Sequence, residues 1–286
     1  MNNNPLISII TPSYNQGDFI ENTILSVLEQ DYAHIEYILM DGGSTDGSLD
    51  IIRKYEKHLT YWQSQPDGGQ VAALNAGFKK AKGQILTFLN SDDFLMLGAV
   101  SKVVELYREH PQAVGWVGGA YSIAQDGYII QTRYPQDVSL NGLADWIENY
   151  IYQPACFFSA DHAKSVGYLN DAYENAFDFN FWMDLAERGD FIPTNEILAV
   201  ATIHPDAKTQ KFMNRMFLET YQIQKAHGFE EIAEKTKVFI EQSKTYTQAS
   251  SLARLLYTIN RRKRHMPDNF VRMPQPPSKK DQLSTE

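Results

Sequence analysis

The chain has 286 residues, of which 43% are hydrophobic and 21% charged, enough to bury the core of one large domain with appendages. Its formal net charge of -9 argues against general nucleic-acid binding, which needs a basic face. The single cysteine, Cys156, permits neither an intramolecular disulfide nor a cysteine-based metal cluster, and its apolar neighbours suit a core thiol better than a nucleophile.

In chain order, residues 6–11 read as a buried strand, and residues 19–30 place Phe19, Ile20, Ile24, Val27 and Leu28 at helical spacing. A strand over 35–41 follows, then a helix over 48–57 with Ser48 as its N-cap. A short strand over 59–63 precedes a helix over 70–82 that Gly83 closes as a C-cap. Strand 84–89, helix 97–110 and strand 114–117 complete a repeated β-α-β order. That order predicts an α/β fold, Rossmann-like, with a mostly parallel sheet flanked by helices. Ligands of such sheets bind beyond the carboxyl ends of the strands, which singles out the loops 12–17, 41–47 and 90–93.

The rest is less regular. Strands are expected over 128–133, 155–159 and 198–204, and helices over 140–150, 161–166, 179–188, 212–227, 229–243 and 252–259. From Arg261 the chain is polar, Pro-rich and charged, and is expected to be disordered. The start lacks the basic and apolar regions of a signal peptide. No run approaches the roughly 20 apolar residues of a membrane span, so a cytoplasmic setting is expected. The apolar segment 252–259 with Arg261-Arg262-Lys263-Arg264 after it suits weak contact with an anionic membrane surface, hence a peripheral position at its inner face.

Three loops carry the chemistry. Asn90-Ser91-Asp92-Asp93 follows a strand, and adjacent acids there can hold Mg²⁺ or Mn²⁺ together with a diphosphate; alone they also read as a solvated turn. Thr11-Pro12-Ser13-Tyr14-Asn15 offers backbone groups and an aromatic ring to a base, or simply turns the chain. Asp41-Gly42-Gly43-Ser44-Thr45-Asp46-Gly47 puts a carboxylate at a strand end beside glycines that permit close approach. Neither a dinucleotide fingerprint nor a P-loop is present.

Together these loops resemble the family 2 glycosyltransferases, which have the GT-A fold, from about Leu6 to about Thr209. Also in the expected order are Asp67-Gly68-Gly69-Gln70, Ala73-Leu74-Asn75-Ala76-Gly77, Gln153-Pro154, Phe177-Asp178-Phe179-Asn180-Phe181-Trp182 and His204-Pro205-Asp206-Ala207-Lys208-Thr209. The resemblance implies a metal-dependent, inverting transfer from a nucleoside-diphosphate sugar, most readily a UDP-sugar, to a hydroxyl acceptor. Bacterial surface-polysaccharide or glycolipid biosynthesis is the setting it suggests. It casts Asp178 as the catalytic base, and Asp92, Asp93 and His204 as ligands of Mn²⁺ or Mg²⁺. It assigns the nucleotide and donor to Thr11, Pro12, Tyr14, Asn15, Asp41, Gln70, Asn75, Asn90, Ser91 and Lys208, and the acceptor or sugar to Gln153 and Trp182. The departure is Asn90, where a full DxD motif would have an acid.

The domains implied are a glycosyltransferase domain over 1–209, a helical extension over 210–260 and a tail over 261–286. The first divides into a nucleotide-binding half, 1–118, and an acceptor half, 119–209. The partners implied are the donor, a saccharide or lipid-linked acceptor, and no nucleic acid. Other readings stay open. Asp178 could cap a helix, His204 could be a loop histidine, and Trp182 could belong to the core. A nucleotide-cofactor oxidoreductase is disfavoured by the missing glycines, and Asn90 keeps alive an inactive relic serving as a scaffold.

Overall fold

The computed structural model describes residues 4–125 and 127–246, with side chains to residue 241. The helix expected over 252–259, its membrane contact and the tail from Arg261 lie outside the described residues. Strands β1 (Ile7–Ser13), β2 (Ile35–Asp41), β3 (Tyr61–Ser64) and β4 (Ile85–Phe88) alternate with helices α1 (Ile20–Leu28), α2 (Ser48–Tyr55) and α3 (Gln70–Lys80). Beyond them come β5 (Phe94–Leu95), α4 (Ala99–Glu109), β6 (Gly115–Ala124), β7 (Ile129–Arg133), α5 (Leu140–Ala144) and α6 (Trp146–Asn149). The rest comprises β8 (Cys156–Ser159), α7 (Ala160–Ser165), α8 (Phe177–Ala186), β9 (Phe191–Ile203), α9 (Lys208–Lys211), α10 (Met213–Ala226) and α11 (Glu230–Tyr246).

One sheet runs in the order β3-β2-β1-β4-β8-β6-β9-β5, with β7 paired to β6. The expected parallel pairing joins β3, β2, β1 and β4, and β9 is parallel to β6. The sheet is mixed overall, because β8 runs antiparallel to both β4 and β6, and β5 and β7 are antiparallel to their neighbours. Successive strand residues point to opposite faces, and they divide the core in two. Ile10, Ile38, Phe88 and Phe158 pack with α3 and α8 on one side. Ile9, Leu39, Phe157 and Trp116 pack with α1 and α4 on the other. Cys156 is a buried free thiol, as its apolar run suggested. Helix α8 buries Phe177, Phe179, Asn180, Phe181, Trp182, Met183 and Leu185, so it is apolar nearly all round, the mark of a helix enclosed by the core.

Local signals misplaced some ends. Ser48 is the first residue of α2, and Gly47, at φ 97°, is the N-cap. Asp46 takes the capping role instead, accepting from the Ser48 N–H at 3.1 Å and the Ser48 hydroxyl at 2.6 Å. The C-cap of helix α3 is Ala81, not Gly83. Gly83 is needed for a close approach, since a Cβ there would lie 2.6 Å from Ser8 Oγ and 2.7 Å from Leu6 O. The segment 140–150 forms two short helices rather than one, and β6 and β9 extend well past the expected strands. Among the described residues no helix is long and apolar enough to cross a membrane.

Candidate active site

The first three strands end side by side, with Ser13 paired to Asp41 and Asp41 to Ser64. The loops leaving these strands, and the loop after β4, form one wall of a cavity of about 1240 Å³. Pro12, Ser13, Tyr14, Gln16, Gly43 and Asp67 line that wall. Ser122, Gln131, Tyr150 and Tyr152 line another part, around β6 and β7. In the sheet β1 and β6 are separated by β4 and β8, three strand spacings or about 14 Å. The cavity therefore has room for two reactants side by side.

Asp178, on α8, lines the same cavity. It is the second residue of that helix, whose N-cap is Ala176, so Asp178 lies inside the first turn and is not the cap. Its neighbour Phe177 packs on Phe88 at the end of β4, with ring centroids 6.0 Å apart. Enclosure raises the Asp178 pKa above the ordinary carboxylate value; the Phe179 N–H, donated to Oδ1 at 2.8 Å, and the Lys208 charge offset part of that rise.

In the loop after β4, Asp92 Oδ2 lies 3.0 Å from His204 Nε2. His204 is brought there by the length of β9, and its buried ring packs against Phe19 at 4.4 Å. The resemblance implies a divalent metal at this point. Among the described residues no group of three or more His, Cys, Asp or Glu side chains could hold a metal by itself. A pair such as Asp92 and His204 fits an ion that takes its remaining ligands from a diphosphate and water, as Mg²⁺ commonly does. Asp93 does not join the pair. Its Oδ1 accepts the Thr202 N–H at 3.0 Å and its Oδ2 faces Asn90 Nδ2 at 3.3 Å. Burial, then the Asp92 charge, pushes the Asp93 pKa well above the usual range.

Asn90 is the centre of a chain of amides. Gln153 Nε2 donates to the carbonyl of Phe88 at 2.5 Å. Asn90 Nδ2 donates to Gln153 Oε1 at 3.0 Å, and Gln70 Nε2 donates to Asn90 Oδ1 at 2.8 Å. Lys208 Nζ donates to Gln70 Oε1 at 3.2 Å. A backbone carbonyl can only accept and an ammonium can only donate, so the two ends fix the orientation of every amide between them.

The sequence model described as glycosyl transferase family 2 matches residues 8–163, more than half of the chain. The chain belongs to this family. It is 41% identical over 129 residues to a Bacillus subtilis glycosyltransferase named, provisionally, TuaG of teichuronic acid biosynthesis; the match covers 43% of this chain and 50% of the relative. The chain spans about half the length of such curated relatives. Its fold is that of GT-A glycosyltransferases. Staphylococcus aureus TarS (1–349), solved with UDP-GlcNAc, superposes with a TM-score of 0.63 at 19% identity, covering 78% of this chain and 66% of that one. The mannosyltransferase PcManGT from Pyrobaculum calidifontis, solved with GDP-Man and Mn²⁺, gives 0.61 at 16% identity, covering 91% and 76%.

In this family member several residues expected to make contacts do not line the cavity. Thr11 is fully buried and meets the Tyr37 hydroxyl at 3.1 Å. Asn15 ties two loops together, its Oδ1 accepting the Thr45 N–H at 2.9 Å. Asp41 is 1% exposed, and its carboxylate accepts from the N–H groups of Gly43 and Ser44 and the hydroxyls of Ser44 and Ser64. It shapes the glycine loop from beneath instead of facing the cavity. Asn75 bonds both backbone groups of Leu169, at 2.9 and 3.0 Å. Trp182 is 2% exposed and stacks on Phe88 in the core, so its ring is not presented to the cavity.

Pro12, Tyr14, Gln70, Asn90, Ser91, Asp92, Asp93, Gln153, Asp178 and Lys208 do line the cavity, while His204 stands behind Asp92. Missed by sequence reasoning are Ser13 and Gln16, whose Oγ and Oε1 are buried without a hydrogen-bond partner among the described residues, and Ser122, Gln131, Tyr150 and Tyr152. Ser13 sits within a motif already singled out, so strand register could have found it. The second group had no motif to mark it.

The amide chain also accounts for Asn90. An aspartate there could still accept from Gln70 but would set a carboxylate oxygen against Gln153 Oε1 and Asp93. Asn90→Asp is expected to destabilise the fold by about 1–3 kcal/mol, the cost of unsatisfied buried polar groups, rather than to improve the site. Urea unfolding at neutral pH checks this, and an unchanged midpoint would show that the amide chain carries no weight.

Proposed function

We propose that the protein transfers a sugar from a nucleoside diphosphate, UDP in first place, to a hydroxyl of a saccharide acceptor, with inversion at the anomeric carbon. The observation that carries this is that Asp178, raised in pKa by burial, lines the same cavity as the loops of β1, β2 and β4 and the group around β6 and β7. A carboxylate there can take the acceptor's proton as its oxygen attacks. One base across from the leaving group suits a single displacement, and hence inversion.

The donor half, 1–118, would hold the nucleotide through the unpartnered Ser13 and Gln16 atoms and the exposed ring of Tyr14. Asp92 and His204 would hold Mn²⁺ or Mg²⁺, which would neutralise charge building on the departing diphosphate. Lys208 adds a cation at the same wall. The acceptor half would hold hydroxyls of a sugar through Ser122, Gln131 and Tyr152, with the rings of Tyr150 and Trp146 beside them. Exposed Ile130, Phe212 and Met213 line the same cavity and favour an acceptor with an apolar aglycone, such as a lipid-linked saccharide.

The test is a panel of UDP- and GDP-sugars with Mn²⁺, each offered an oligosaccharide and its octyl glycoside, with the product's anomeric configuration read by NMR. Transfer from a UDP-sugar with inversion, better to the octyl glycoside, is expected. Retention at the anomeric carbon, or transfer from GDP-sugars alone, would sink the respective part of the proposal.

A further inference from the structure

Helix α10, like Asp178 itself, lies beyond the stretch matched by the family, and it holds the turn just before the proposed base. Glu219, on α10, accepts three hydrogen bonds from the turn that enters α8. Its Oε2 takes the N–H groups of Asn175 at 2.7 Å and Ala176 at 2.8 Å, and its Oε1 takes Asn175 Nδ2 at 2.7 Å. The entry to α8 has no capping side chain of its own, so a group from another helix serves that end. On the other side of the turn Lys208 Nζ donates to the carbonyl of Glu174. The segment 174–176 is thus clamped by α9 and α10 together, and Asp178 follows two residues later.

We infer that Glu219 is a positioning residue: by holding the entry to α8 it fixes where the Asp178 carboxylate stands in the cavity and what surrounds it. The geometry is fitted to that task. Three charge-assisted bonds to one turn are more than helix packing requires, and they use both oxygens of the carboxylate. The ionisable groups that face Asp178 are Lys208 from α9, Glu219 from α10 and the Cys156 thiol from β8. Of these Lys208 favours the ionised Asp178 and Glu219 opposes it, while burial is the largest influence of all.

The inference rests on the reading of Asp178 as the base, but its test reads the carboxyl group and not turnover. Aspartate-labelled protein is titrated by carbon NMR, with Asp178→Asn assigning the signal. Glu219→Gln removes the charge and at least one acceptor, so the Asp178 midpoint is expected to fall. Amide exchange at Asn175 and Ala176 should speed up by about tenfold, the equivalent of one lost bond to a charged group. Glu219→Asp keeps the charge on a shorter arm, and its midpoint should fall by less. That variant serves equally where the first does not fold. An unmoved Asp178 midpoint, or unchanged exchange at Asn175 and Ala176, in a folded variant overturns the inference. Loss of the base reading would appear separately, as undiminished transfer by Asp178→Asn.

Discussion

Asp178→Asn is expected to lower turnover by roughly 10²–10⁴-fold, the usual worth of a general base, while nucleotide affinity stays unchanged. The amide keeps the size of the side chain and can still accept the Phe179 N–H that Oδ1 accepts now. What it loses is the ability to take a proton. Since burial raises the Asp178 pKa above the ordinary aspartate value, the acid limb of wild-type kcat should lie above that of an ordinary carboxylate. The limb should vanish from the residual activity of the variant. Stability should move the other way. Between the ordinary aspartate pKa of the unfolded chain and the raised native pKa, the folded chain holds a proton that the unfolded chain has released. Stability therefore falls as pH rises through that window. At neutral pH the substitution removes this penalty, and Tm should hold or rise. Near wild-type transfer by Asp178→Asn would mean that another group is the base, and lost nucleotide binding would mean that Asp178 faces the donor.

Asp92→Ala is expected to weaken Mn²⁺-supported binding of UDP by at least about 10–100-fold, since even supporting groups around a metal ligand are worth that much. Asp92 and His204 are the only pair proposed to hold the ion, and removing either leaves one protein ligand. His204→Ala should act in the same direction. With a chelator present, the wild type and both variants should bind UDP alike and weakly. Calorimetry with Mn²⁺ and with chelator separates the cases. Equal UDP affinity for the wild type under both conditions would remove the metal from the proposal. A wild type that needs Mn²⁺ beside an unaffected Asp92→Ala would place the ion elsewhere.

Much of this site could be read from the sequence because it is built from segments that are local. Strand ends and the loops after them lie next to each other in the chain, so periodicity and turn residues placed 12–17, 41–47 and 90–93 at the ligand end of the sheet. The order of the motifs then supplied the family, and Asp92, Asp178, Gln70, Gln153 and Lys208 face one cavity. Direction within a loop was not legible. Asp41 and Ser13 are paired neighbours in the sheet, yet the carboxylate turns under its loop and the hydroxyl is left unpartnered, because four donors surround Asp41 only in the folded chain.

By itself, then, the sequence determined the α/β order, the family and the loops where chemistry gathers, since each depends on residues a few positions apart. The tertiary structure alone decided which side chains reach the cavity. Asn90 meets Gln153 across 63 positions, and Glu219 meets Asn175 across 44. Asp93 parts from Asp92 because Thr202, 109 positions away, supplies an N–H to it. Hydrogen bonds act over about 3 Å in space and carry no mark of their partner's place in the chain, so the direction of each polar group is settled only when distant strands and helices meet.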